Sequence, residues 1–339
     1  MPALAVADAL RADGAQVVFI GGERAETRLV PAAGYELQPL GARPLPRSGR
    51  RLLNAPGAAL ADGAAVARAS RLLHQVRAAA VLGAGGYVAG PTGLAAVMRR
   101  IPLVLMEADS HLGLTNRVLS PFATRVCLAF PIAGRDGARY RLTGRPVRPP
   151  ARDRAAARAR FGIAPEETCV LVFGGSQGAR SINRAAVEAF RGARFRVLHA
   201  AGEANLEQLE APGTHYDLRG YIADFDQALL AADLVVARAG GSIFEIAAHG
   251  RPAVLVPYPY ATANHQMLNA RFMEEAGAAV VIPDSELSAA RLAQEVGKLL
   301  ADAPRRASMA HAAAAVARPE AAQEIAAEVL AAARMRVRP

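Results

Sequence analysis

Two α/β domains built on parallel sheets are what the sequence predicts, and three observations predict them. The chain has 339 residues, long enough for two domains that each bury a core. Apolar, strand-like runs alternate with helical patterns nearly throughout, the signature of βα units. A Pro- and Arg-rich passage, Thr143–Arg154, interrupts that alternation near the middle and reads as a linker. With 52% hydrophobic and 21% charged residues, a wholly disordered chain is excluded.

The chain opens on a helical pattern from Pro2, with Leu4, Val6, Ala7 and Leu10 on its apolar face and Gly14 ending it. Strands are expected at Gln16–Ile20, Ala80–Leu82, Leu103–Met106 and Arg125–Ala129. A doubly wound domain normally opens strand first, with that strand central and a glycine turn behind it. The opening helix therefore predicts either a true start upstream of Met1 or a first domain without its central strand. The uncharged stretch Ala78–Met98 is long enough to cross a bilayer, but its glycines and Pro91 would break a helix there. A buried strand, a glycine turn and a helix are expected instead. Beyond the linker, strands are expected at Cys169–Phe173, Arg196–Ala200, Asp233–Ala237, Ala253–Val256 and Ala279–Ile282. Three helical segments follow, the last spanning about Ala321–Met335.

The net charge is +10, and Lys298 is the only lysine, so the other basic residues are arginine. Such a surface suits phosphates or anionic lipid. Cys127 and Cys169 both sit in apolar runs and read as reduced core residues rather than a disulfide framework. Neither a His-Glu-x-x-His helix, a cysteine cluster nor a Gly-x-Ser-x-Gly elbow occurs, so zinc- and serine-hydrolase readings lack their parts. No metal, no cofactor and no nucleic acid partner is expected.

Phe173-Gly-Gly-Ser-Gln-Gly-Ala-Arg180 follows a buried strand and precedes a helix. Glycines let that backbone turn tightly and aim N–H groups at an anion, with Ser176 adding a hydroxyl. The same pattern also serves a plain βα turn. Arg238-Ala-Gly-Gly-Ser-Ile-Phe-Glu245 repeats the arrangement, and Glu245 reaches toward a hydroxyl pair or simply favours a helix N-terminus. In Pro257–Gln266, Gln266 and nearby Asn269 suit sugar hydroxyls, while Asn264 suits an ordinary N-cap. Leu82–Pro91 forms another glycine-rich turn. Glu107 and Asp109, with His111 close by, stand at a strand's carboxyl end as candidate general bases or as surface acids. Arg43, Arg47, Arg50 and Arg51, followed by Leu52 and Leu53, suit an anionic membrane surface or a solvated loop.

Together these segments resemble the MurG family, the UDP-N-acetylglucosamine:lipid-I N-acetylglucosaminyltransferases of peptidoglycan synthesis. The resemblance runs through Pro2-Ala-Leu-Ala-Val-Ala, Gly85-Gly-Tyr-Val-Ala-Gly-Pro91, Thr143-Gly-Arg-Pro-Val-Arg148 and Gly174-Gly-Ser-Gln-Gly-Ala179. It continues through Glu245–Tyr258 and His265-Gln-Met-Leu-Asn-Ala270, nearly the whole chain in the family's order. It implies a GT-B fold, two Rossmann-like domains facing across a cleft. The expected boundaries are residues 1–146 for the acceptor and membrane-facing domain, 147–318 for the UDP-GlcNAc domain, and 319–339 for a helix returning to the first.

By that resemblance Ser176, Gln177 and Gly178 take the donor diphosphate, Glu245 the ribose and the Ile222 backbone the uracil. Gly241 and Ser242 line diphosphate and sugar, Gln266 binds the N-acetylglucosamine, and Arg148 neutralises the leaving UDP. Gly85, Gly86, Tyr87 and Asp109 face lipid I, with Glu107 and Asp109 as the remaining bases. The implied partners are UDP-GlcNAc, lipid I and the anionic inner leaflet, at the cytoplasmic face of the membrane. Three departures stand out. The family's first strand and its Gly-Gly-Thr-Gly-Gly-His loop do not precede Pro2. Glu107-Ala108-Asp109 carries a carboxylate where the family has an amide. The Arg238–Glu245 segment is one residue short. The chain is therefore expected to bind donor better than it transfers. A UDP-GlcNAc 2-epimerase and a non-catalytic nucleotide-sugar binder are the alternatives.

Overall fold

The computed structural model describes residues 2–41, 55–175, 177–261 and 264–337. Contacts divide the chain into two units, Met1–Val147 with Pro319–Pro339, and Arg148–Arg318. The first division falls one residue after the expected 146/147.

The first unit runs α1 (Pro2–Ala12), β1 (Val18–Gly21), α2 (Glu26–Ala32), β2 (Glu36–Pro39), α3 (Ala55–Gln75), β3 (Val81–Gly83), α4 (Gly86–Met98), β4 (Leu103–Glu107), α5 (Leu114–Leu119), β5 (Arg125–Leu128) and β6 (Tyr140–Leu142). The second runs α6 (Arg154–Arg160), β7 (Cys169–Phe173), α7 (Arg180–Ala189), β8 (Arg196–Ala200), α8 (Glu203–Leu206), β9 (Tyr216–Arg219), α9 (Phe225–Ala231), β10 (Leu234–Ala237), α10 (Ile243–Ala248), β11 (Ala253–Leu255), α11 (His265–Glu275), β12 (Ala279–Val281), α12 (Ala289–Ala301) and α13 (Ala303–Val316). The closing helix α14 (Ala321–Val337) belongs to the first unit.

In the second unit all six strands form one parallel sheet in the order β12-β11-β10-β7-β8-β9. Its central strands β7 and β10 are buried along their whole length, as continuous apolar runs flanked by helices on both faces should be. Chain order reverses between β7 and β10, so a crevice opens there at the strands' carboxyl ends.

The first unit is divided. β1 pairs only with β2, while β3, β4, β5 and β6 form a separate parallel sheet. Among the described residues no strand joins β1 to β3. Between them lies a cavity of about 650 Å³, lined by Val18, Phe19, Val81, Leu82, Ala7 and Val329 among others. One face of the four-stranded sheet is covered by Val6 and Leu10 of α1 together with Ile325, Ala326 and Val329 of α14, packed on Val104, Met106 and Cys127.

One expectation is corrected here. Gly86, Gly90 and Pro91 lie within α4, so the glycine turn is confined to Ala84 and Gly85. Ala78–Met98 thus forms β3 and α4, and among the described residues no helix is long and apolar enough to cross a membrane. Both cysteines are buried in strands, and burial pushes each thiol up to about 12.

Candidate nucleotide-sugar and acceptor sites

The loops that leave β7 and β10 flank the crevice of the second unit. After Phe173 the chain turns so tightly that a Cβ on Gly174 would stand 2.3 Å from the Ala179 nitrogen. Gly178, at φ +71°, approaches the next loop so closely that a Cβ would lie 1.7 Å from the Ala201 carbonyl oxygen. The loop then delivers its backbone to the start of α7, where unpaired N–H groups and the helix dipole favour an anion. A cavity of about 480 Å³ adjoins it, lined by Gln177, Gly178, Arg180, Glu203, Ala204 and Asn205. Ser176 lies outside the described residues, as do Arg43, Arg47, Arg50, Arg51, Leu52 and Leu53.

The β10 loop is held by Arg238, only 8% exposed. Its guanidinium donates to the carbonyls of Val256 and Pro257 and to the Asp284 carboxylate, and its second nitrogen donates to Ser181 Oγ at 2.7 Å. Ser181 Oγ in turn donates to Asp284. One buried cation thereby ties β10, the β11 loop and α7 together, a role that sequence reading missed because every partner is remote. Beyond it Gly241 and Ser242 lead into α10, with Glu245 in its first turn.

Gln266, in the first turn of α11, accepts the Tyr258 N–H at 3.0 Å through Oε1, and its Nε2 reaches toward Gly240. Asn269 does not present its amide to a ligand: it is 1% exposed and donates to the Ala239 carbonyl at 3.0 Å. Asn264 is no side-chain cap either, since it adopts a left-handed conformation with no capping bond. Arg148 is exposed at the start of this unit. Ile222 is buried just after β9, where its side chain anchors the backbone that follows the edge strand.

In the first unit the β4–α5 loop gathers the carboxylates. Glu107 is 6% exposed. Its Oε1 accepts the Asp109 N–H at 3.1 Å, and its Oε2 accepts the Gly113 N–H at 2.8 Å and the Asn116 amide at 2.9 Å. With both oxygens so engaged, Glu107 organises the loop. Asp109 is only half-buried beside it. Gly85 and Gly86, at φ +82° and +79°, start α4. Tyr87 follows, its hydroxyl against Gly22 and its ring under the Arg24 guanidinium. The Gly21-Gly22 turn at the end of β1 thus packs on Tyr87, and its short strand leaves little mark in the sequence. Glu26 secures it by accepting the Gly22 N–H at 3.0 Å.

An apolar and basic face also belongs to the first unit. Leu94 and Met98 of α4, Leu114 and Val118 of α5, and Phe122 are all exposed, Met98 at 70%. Arg100, just after α4, and Arg117, within α5, are exposed as well. Among the described residues no group of His, Cys, Asp or Glu is arranged to hold a metal ion.

Residues 1–128 match the model of the glycosyltransferase family 28 N-terminal domain, and residues 169–325 that of its C-terminal domain. The chain belongs to glycosyltransferase family 28. It is 41% identical, over 97% of its own length and 99% of the relative's, to a protein of Rubrobacter xylanophilus. That relative is named a UDP-N-acetylglucosamine--N-acetylmuramyl-(pentapeptide) pyrophosphoryl-undecaprenol N-acetylglucosamine transferase. A Halothermothrix orenii protein of the same name is 37% identical over 94% of this chain and 91% of its own. Among solved structures, Acinetobacter baumannii MurG superposes with a TM-score of 0.76 at 30% identity, covering 97% of this chain and 95% of that one. The two parallel-sheet units are those of a GT-B glycosyltransferase.

Proposed function

We propose that the chain transfers N-acetylglucosamine from UDP-N-acetylglucosamine to the 4-hydroxyl of the N-acetylmuramyl unit of lipid I. The product is lipid II, the precursor of peptidoglycan. The observation that carries this reading is near end-to-end similarity to transferases of that name, joined to two glycine-containing loops at the sheet's switch point. In this reading the backbone of Gln177 and Gly178, with Ser176, takes the diphosphate. Gly241 and Ser242 line it, Glu245 accepts from the ribose hydroxyls, the Ile222 backbone holds the uracil, and Gln266 orients the sugar. Arg148 and the α7 N-terminus neutralise charge on the departing UDP, so the bond-breaking electron pair is stabilised where it lands.

On the acceptor side Gly85, Gly86 and Tyr87 meet lipid I. Asp109 takes the proton of the attacking hydroxyl while the anomeric carbon inverts and a β-1,4 bond forms. Glu107 supports Asp109 by accepting its N–H. The α4–α5 face, apolar with arginines among its exposed residues, attaches the protein peripherally to the anionic cytoplasmic leaflet.

Two substitutions test the assignment. Glu245→Ala should weaken UDP binding about ten- to a hundredfold in calorimetry, as expected for a lost bond to a charged group. Asp109→Asn should leave UDP binding intact and lower kcat by about 10²–10⁴. UDP binding unchanged in the first variant, or turnover unchanged in the second, would refute the corresponding role.

A further inference from the structure

We infer that Asn205 is a positioning residue of the donor loop, acting through the backbone carbonyls of Gln177 and Ala201. The inference rests on the reading of that loop as the diphosphate cradle.

A phosphate cradle must turn its N–H groups toward the ligand, so its carbonyls need partners elsewhere. Asn205 provides one. Its amide nitrogen carries two protons, and both are used, at 2.9 Å to the Gln177 oxygen and 3.0 Å to the Ala201 oxygen. The residue is 8% exposed, so neither bond competes freely with water. The two loops it joins interlock. A Cβ on Gly202 would lie 2.5 Å from the Gln177 oxygen, as one on Gly178 would clash with Ala201.

Ala201 is itself anchored by a second side-chain amide. Asn183 Nδ2 donates to the same Ala201 oxygen at 2.9 Å. That leaves Asn183 Oδ1 to accept from His199 Nε2 at 3.1 Å, and His199 Nδ1 to accept from the Tyr216 hydroxyl at 2.7 Å. Asn183, His199 and Tyr216 are all buried. The row has one donor direction, from Tyr216 to Ala201, and requires a neutral imidazole. Burial supplies it by pushing His199 down to about 4. Gln177 is thus held against a fixed point in the core, and Asn205 is the link between the two.

The test uses the full chain with Asn205→Ala, which removes both donors, and Asn205→Asp, which sets oxygens against two carbonyls. UDP Kd and donor KM should rise about tenfold in the alanine variant and further in the aspartate variant. The acceptor KM and kcat at saturating donor should stay within about twofold. If the aspartate variant does not fold, the alanine variant decides. UDP Kd unchanged in a folded variant overturns the inference. So does a fall in melting temperature with donor and acceptor parameters lost together, which marks a merely structural role. Amide exchange of the unsubstituted protein with and without UDP separates the two levels. Protection at Gly175 and Gln177 supports the cradle, and protection only elsewhere overturns cradle and inference together; Gly178 is no reporter, since its N–H already donates to the Gly175 carbonyl at 2.9 Å.

Discussion

The two units reach the same architecture with different completeness. In the second, six strands bond side by side without a break, and the loops at its switch point emerge from β7 and β10, buried throughout. In the first, β1 and β2 stand apart from the other four strands across a cavity, and every residue of β1 is only half-buried. A two-stranded sheet is marginal by itself. This one depends on Leu4, Ala7, Val30 and Tyr35, and on the Phe19–Tyr35 ring contact. The lesson is that the loops of two related units on one chain need not rest on equally firm ground.

Amide exchange should break or sharpen that contrast most strongly. Amides of β1 and β2 should exchange about a thousandfold faster than those of β7, β8 and β10, because local opening there exposes little apolar surface. Equal protection would remove the contrast.

Acid should act next, and on the second unit. His199 titrates near 4 when folded and near 6.5 when unfolded, so the unfolded chain binds the extra proton between those values. Its contribution is complete above about pH 6.5 and is lost as pH falls through 4, a loss of about 3 kcal/mol. Thermal melts from pH 7 to pH 4 should show this slope for the unsubstituted chain and a shallower one for His199→Gln. Parallel slopes would contradict it.

Ion pairs give the smallest test. Asp233 bonds Arg154 at 2.6 Å, Arg158 at 3.4 Å and the Cys169 N–H at 2.9 Å, and Arg158 is 7% exposed. Asp233→Ala should cost about 3 kcal/mol, because the buried Arg158 charge loses its counter-ion while keeping only the carbonyls of Ala164, Ala231 and Glu167. In the first unit Glu328 meets Arg125 and Arg141 at 3.0 and 3.4 Å, but all three are partly exposed. Glu328→Ala should cost less than about 1 kcal/mol. Denaturant melts that reverse this order would show the exposed pair to be the stronger.

How much of this was legible follows the same division. Cys169–Phe173 and Arg196–Ala200 are legible to the residue, the first as an unbroken apolar run and the second because Val197, Leu198 and Ala200 keep its interior apolar around His199. Three strands escaped notice: Glu36–Pro39, Tyr140–Leu142 and Tyr216–Arg219. Each has one strand neighbour and carries polar or half-exposed residues, so no apolar pattern marks it. At the site, glycines betrayed the Gly174–Gly178 turn, since φ values of +91° and +71° demand them. Asn205, Arg238 and Glu107 did not declare their roles. Most of their partners are backbone carbonyls and N–H groups, which every residue has, and the side chains among them, Asp284, Ser181 and Asn116, are brought near only by folding. For the same reason Asn269 looked like a sugar ligand until its amide was found on Ala239.

The most direct test of the account is turnover by the chain itself. UDP release should be followed from UDP-N-acetylglucosamine with and without a lipid-I analogue, and the sugar product analysed. The account predicts release only when the analogue is present, with a β-1,4-linked disaccharide as product. Release or epimerisation of the donor without acceptor, or donor binding with no transfer, would contradict it.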